Sequence, residues 1–257
     1  MSITTRRNVR PFTSPNAFTF AYRTDIILCM IKLFIADSGI FGDDGLFSFY
    51  LDRVDGDRRK KVMSFSDRRM KNQSLAAGVI LSAALQYSGY SADIELTYNA
   101  FGKPALVSPE NVFFNLSHSE GKVLCALSDK EVGCDIQKVN GANYRKIMGR
   151  FTPREQALID GAGDNARDMF FRIWAVKESY LKALGAGFSR PLDSFGIEFS
   201  DARIKISDPE GEGAWNVWED GSVGGYKIAC CTRCDCVGLS PVCLDDEIIA
   251  TSRKRFS

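Results

Sequence analysis

The chain has 257 residues, with 33 Lys and Arg against 32 Asp and Glu, a formal net charge of +1, and 45% apolar residues. That balance argues against non-specific nucleic-acid binding by the whole protein, and no apolar run approaches the ~18 residues of a membrane span. Eight cysteines are too few for a disulfide scaffold of this length and suit a reducing cytoplasm.

Residues 1–29 differ from the rest in composition: Arg6, Arg7, Arg10 and Arg23, many Ser and Thr, and no acid before Asp25 give a faint transit-peptide character. They are read as an N-terminal extension, with the first strand expected at 30–35. The basic clusters Arg58-Arg59-Lys60-Lys61 and Arg68-Arg69-Met70-Lys71 are expected along a helix, either as a solvated face or as a polyphosphate contact. Apolar residues at i, i+4 predict a long helix over 67–87, closed by Gly89. Strands are expected near 94–98, 112–116, 123–127 and 132–136. Helices near 144–149, 154–159 and 168–184 then precede strands near 195–199, 214–218 and 226–231. Two halves of similar rhythm, each a long helix and a small antiparallel sheet, make an α+β protein.

Three segments carry candidate chemistry. In Phe113-Phe114-Asn115-Leu116-Ser117-His118-Ser119 lies the only histidine of the chain, which alone is more often structural than catalytic. In Val132-Gly133-Cys134-Asp135-Ile136-Gln137 strand alternation puts Asp135 and Gln137 on one face, oxygen ligands suited to a hard cation. In Trp174-Ala175-Val176-Lys177-Glu178-Ser179-Tyr180-Leu181-Lys182 helical spacing i, i+4, i+8 aligns Trp174, Glu178 and Lys182. Taken alone, that acid and base would be a solvated pair of about 0.3–0.5 kcal/mol. Thr152-Pro153-Arg154-Glu155 reads as a capping box with Pro at the first helical position. The Cys231-Thr232-Arg233-Cys234 pair lacks a second pair or a nearby His, so it is read as strand cysteines rather than zinc ligands.

In this order and at these separations the three segments resemble the Sfp-type 4′-phosphopantetheinyl transferases, with their Asn/Ser-x-Ser-His, Gly-x-Asp and Trp-x-x-Lys-Glu-x-x-x-Lys elements. Phe101-Gly102-Lys103-Pro104 resembles that family's Gly-Lys-Pro turn, and Gly185 to Leu192 its loop after the catalytic helix. The resemblance spans roughly 30–233 and rests on five ordered elements. It implies a pseudo-symmetric pair of halves with the site in the cleft between them, at 30–133 and 134–240, followed by a C-terminal tail over 241–257.

The resemblance further implies transfer of phosphopantetheine from coenzyme A to a serine of an apo acyl or peptidyl carrier protein, Mg²⁺-dependent, by a cytoplasmic monomer without nucleic-acid or membrane partners. Asp135, Glu178 and Lys182 would be catalytic, and Asp135, Glu178 and Gln137 would hold the metal. Gln137 stands where a second acid is commoner in the family. Lys103, Ser117 and His118, with Arg59 and Lys60, would contact coenzyme A. Glu155 matches a functional glutamate of the family, which sets a catalytic reading beside the capping one. The alternative is a catalytically silent homologue that binds carrier protein or coenzyme A.

Overall fold

The computed structural model describes residues 31–92, 94–141, 143–200, 203–211, 213–234 and 239–253. The N-terminal half runs β1 (Ile31–Asp37), α1 (Asp44–Leu51), α2 (Gly56–Ser64), α3 (Arg68–Tyr87), β2 (Leu96–Tyr98), β3 (Pro104–Leu106), β4 (Phe113–Ser119) and β5 (Lys122–Ser128). The second half runs β6 (Val132–Lys138), α4 (Arg145–Met148), α5 (Pro153–Gly161), α6 (Ala166–Leu184), β7 (Gly196–Phe199), β8 (Ile204–Ser207), β9 (Asn216–Asp220), β10 (Tyr226–Thr232), β11 (Val242–Cys243) and α7 (Asp245–Arg253).

The strands form two sheets, ordered β11-β1-β5-β4 and β6-β10-β9-β8-β7, beside the small ribbon β2-β3. Side chains alternate between the faces of each strand, and here both faces are buried, which explains the near-continuous apolar runs. On β1 and β5, Phe34, Ala36, Val123 and Cys125 enter the core beneath α3. Their neighbours Leu33, Ile35, Leu124 and Ala126 meet Cys134, Ile136, Ile228 and Cys230 of the second sheet. The far face of that sheet, with Ala229 and Cys231, receives α5 and α6. The result is four layers, helix on sheet on sheet on helix, so the α+β architecture of two helix-on-sheet halves is as expected.

Three expectations change. The basic clusters lie on two helices, because the chain breaks at Phe65-Ser66 and Asp67 caps a new one, accepting from Met70 N at 2.9 Å. Residues 241–257 are not a tail through Arg253: β11 pairs in parallel with β1, Leu244 and Ile248 join the N-terminal core, and Asp37 N donates to Asp245 Oδ1 at 2.8 Å. The boundary also moves, since β6 pairs with β10 along its whole length from Val132, placing Val132 and Gly133 in the second half. Residues 1–29 lie outside the described residues.

Candidate active site

Gly133 sets the geometry of the site. A Cβ built on it would lie 2.9 Å from Ala183 Cα and still closer to Ser179 O and Ala183 N, so the α6 backbone rests directly on β6. Two residues later, on the same face of β6, Asp135 therefore meets the last turns of α6, which carry Glu178 and Lys182. Gly185, at φ +68°, ends α6 in the left-handed conformation that favours glycine.

Asp135 is 1% exposed and both its oxygens are engaged. Oδ1 accepts from Lys182 Nζ at 2.5 Å and from Ser117 Oγ at 2.7 Å, while Oδ2 accepts from Gln137 Nε2 at 2.7 Å. Lys182 spends its other two donors on Ser117 Oγ, 2.8 Å, and the Cys134 carbonyl, 3.3 Å. Burial alone would lower the Lys182 pKa, but the Asp135 charge and hydrogen bond outweigh it and hold the ammonium above the ordinary lysine value. Gln137 thus shares the Asp135 face as expected, but it donates to that carboxylate through its amide nitrogen.

Glu178 and Lys182 line a cleft of about 240 Å³ together with Phe101, Lys103, Leu116 and Gly185. Burial and the Asp135 charge push the Glu178 carboxyl up to about 7, partly offset by Lys182. Glu178 in the cleft, repelled by the buried Asp135 charge beside it, fits a hard divalent cation, whose charge would let Glu178 ionise. Among the described residues no group of three or more His, Cys, Asp or Glu forms a metal cage by itself.

His118 is exposed on β4, on the face away from Ser117. Desolvation, then the positive charges of Lys182, Lys61 and Arg58, hold its imidazole below the ordinary histidine value. These three cations make its surroundings ready for an anion. Arg58 and Lys61 lie three apart on α2. Arg59 and Lys60, the pair expected there, lie on exposed sides of the helix and pair with Asp52 at 2.8 Å and Asp57 at 3.1 Å.

Two expected coenzyme A contacts have their polar atoms occupied. Lys103 Nζ donates to the carbonyls of Ala183, 2.9 Å, and Val132, 3.2 Å, clasping the end of α6 to β6 while its stem lines the cleft. Ser117 is buried and bonded to Asp135 and Lys182.

Glu155 belongs to the fold. It is fully buried, closes the capping box with Thr152, and accepts from Ile197 N at 2.8 Å. Lys177 Nζ lies 2.9 Å from its Oε1, also fully buried, and donates to the Leu192 and Phe195 carbonyls at 2.8 Å. Fully buried and with both carboxylate oxygens engaged, Glu155 fits the capping reading. Lys177 was missed as its partner, since nothing local marks it. Trp174, aligned with Glu178 on α6, stacks on Phe151 and Phe170 at ring separations of 6.1 and 5.9 Å and anchors α5.

Residues 131–231, which carry Asp135, Glu178 and Lys182, match the profile of the 4′-phosphopantetheinyl transferase superfamily. The chain is 30% identical over 192 residues to the 4′-phosphopantetheinyl transferase ffp of Bacillus subtilis, covering 73% of this chain and 84% of that protein. It is 27% identical over 186 residues to 4′-phosphopantetheinyl transferase Sfp of Bacillus subtilis strain 168, covering 71% and 83%. With 4′-phosphopantetheinyl transferase gsp of Aneurinibacillus migulanus it shares 26% over 193 residues, covering 74% and 81%. Likeness along this length to relatives of one activity places this chain in the 4′-phosphopantetheinyl transferase superfamily.

Proposed function

We propose that the chain transfers phosphopantetheine from coenzyme A to a serine of an apo acyl or peptidyl carrier protein. The observation that carries this reading is the pairing of buried Asp135 with Lys182 at the cleft that Glu178 and Lys182 line, with the His118 imidazole under the positive charges of Lys182, Lys61 and Arg58. In the reaction the serine oxygen bonds to the β-phosphorus of coenzyme A, the bond from that phosphorus to the α-phosphate oxygen breaks, and adenosine 3′,5′-bisphosphate leaves. Glu178 takes the serine proton, a role suited to a carboxyl held near 7. Lys182 faces the leaving phosphate, exchanging for it the long 3.3 Å bond to the Cys134 carbonyl. Asp135 and Glu178 would hold Mg²⁺, which supplies charge neutralisation on the pyrophosphate.

Arg58, Lys61 and His118 would receive the 3′-phosphate, and Phe101 at the cleft supplies an aromatic face for the nucleotide. No helix among the described residues is long and apolar enough to cross a membrane. Cys125, Cys134 and Cys243 are free thiols, which supports a cytoplasmic setting. We take the active form to be the monomer. Incubation with coenzyme A, Mg²⁺ and a panel of apo carriers tests the function. A phosphopantetheine mass shift on one carrier is expected, whereas binding of coenzyme A with no shift on any carrier would identify a silent homologue.

His118→Ala should weaken coenzyme A binding by about ten- to a hundredfold, the value of a hydrogen bond to a charged group of ~1.5–3 kcal/mol. Because the free imidazole is held below its usual pKa, binding a phosphate dianion should draw a proton onto it. Affinity should then fall as pH rises from about 6 to about 8 in wild type, and less in the variant. Calorimetry in two buffers measures the proton uptake. Dephospho-coenzyme A should show neither effect, and an equal effect with it would remove His118 from the 3′-phosphate.

Gln137→Glu should lower the Mg²⁺ concentration for half-maximal transfer several-fold, by placing a second carboxylate at Asp135 Oδ2 where an amide N–H now lies. Without metal the two carboxylates repel, so the variant should also melt lower in chelator. An unchanged metal midpoint would show that residue 137 does not reach the ion.

A further inference from the structure

Along one face of β4, three acceptors recur at i, i+2 and i+4, and each takes an alternate backbone amide of β6. Asn115 Oδ1 accepts from Cys134 N at 2.9 Å, Ser117 Oγ from Ile136 N at 3.3 Å, and Ser119 Oγ from Lys138 N at 3.0 Å. β6 is the edge strand of its sheet, and its outer amides would otherwise lack ladder partners. Side chains thus replace strand pairing where the two sheets meet, and they fix the height of one half against the other.

Of the three rungs, Ser117 does more than bind backbone. A serine hydroxyl has one donor and two acceptor sites, and here all three are used. It donates to Asp135 Oδ1 at 2.7 Å, and it accepts from Lys182 Nζ at 2.8 Å and from Ile136 N. It is 5% exposed, so a substrate would have to displace one of these bonds to touch it. We propose that Ser117 is a positioning residue: its hydroxyl holds the Lys182 ammonium and the Asp135 carboxylate in register across the seam, and it does not contact coenzyme A. This inference rests on the transferase reading above and departs from the coenzyme A contact that the resemblance implies for this position.

Lys182 reaches the seam on a long side chain whose rotamers are costly to restrain. Without the hydroxyl it keeps Asp135 and the distant Cys134 carbonyl but loses the third point that fixes its direction. Asn115 and Ser119 still tie β4 to β6, so the fold should survive the loss.

The test compares full-length wild type, Ser117→Ala and Ser117→Thr in three measurements: transfer kinetics at varied coenzyme A, thermal melting, and amine labelling of Lys182 in the free protein followed by mass spectrometry. Ser117→Ala should lower kcat by about ten- to a hundredfold, the scale of a misplaced catalytic group, with the coenzyme A KM within about twofold. Labelling of Lys182 should accelerate several-fold, and Ser117→Thr, which keeps the hydroxyl, should restore the slow labelling and much of the rate. A rise in KM at unchanged kcat, with labelling as in wild type, would overturn the proposal and return Ser117 to the substrate contacts. Should Ser117→Ala melt far below wild type, labelling and kinetics of Ser117→Thr decide, since loss of rate with slow labelling retained refutes positioning. If wild type transfers to no carrier, the transferase reading fails, while the labelling still shows whether the hydroxyl holds Lys182.

Discussion

Glu178→Gln should reduce phosphopantetheine transfer by at least about a hundredfold while the protein remains folded. The amide cannot take the proton of the attacking serine, and general-base loss alone costs about 10²–10⁴ in rate. It also removes one of the two carboxylates that would hold the cation, so added Mg²⁺ should not restore activity. The stability effect should run the other way. In the folded protein, burial and Asp135 raise the Glu178 pKa from 4.5 to about 7, so the folded state binds the proton more tightly than the unfolded chain. Stability is therefore lost as pH rises through that interval, because a half-buried carboxyl must ionise beside Asp135. A neutral amide carries no such penalty. In chelator the variant should melt above wild type at about pH 8 and close to it at about pH 5. Transfer assays and melts at the two pH values measure both effects, and near-wild-type transfer by the variant would exclude Glu178 as the base.

Gly133→Ala should destabilise the protein by about 3 kcal/mol, the upper part of the range for overpacked sites. The added methyl would strike backbone atoms of Ser179 and Ala183 rather than the flexible end of a side chain. Neither β6, paired along its length with β10, nor α6, buried on the same sheet, has room to retreat without separating the layers. For a domain of this size the melting temperature should fall by roughly 6–12 °C. Activity should fall further than unfolding at the assay temperature explains, since any shift of α6 along β6 moves Glu178 and Lys182 away from Asp135. A variant with wild-type melting would show that the helix and strand are less tightly apposed than their backbones indicate.

Several features of the site were legible from residue order. Strand alternation put Asp135 and Gln137 on one face, and helical spacing aligned Glu178 with Lys182, because both periodicities arise from backbone geometry over a few residues. The Thr152 and Glu155 capping box was equally legible, being complete within four positions. The partners were not. Nothing near Glu155 marks Lys177, which reaches it from a different helix, and nothing near Lys103 announces that its ammonium clasps Val132 and Ala183. Which charges of α2 reach His118 depends on where that helix begins, which a motif does not state.

The sequence by itself determined most of the longer elements, the faces of β6 and α6, and the set of acids and bases from which a transferase site is made. Tertiary structure alone decided which of those groups are spent on holding the fold and which face the cleft. The C-terminal segment packs against the N-terminal core, Gly133 admits the α6 backbone onto β6, and Ser117 meets Lys182 across 65 residues of chain. The physical reason is that local periodicity fixes where a side chain points from its own backbone. What it meets there depends on close packing between segments far apart in sequence, where a single absent Cβ or a saturated hydroxyl sets the distance.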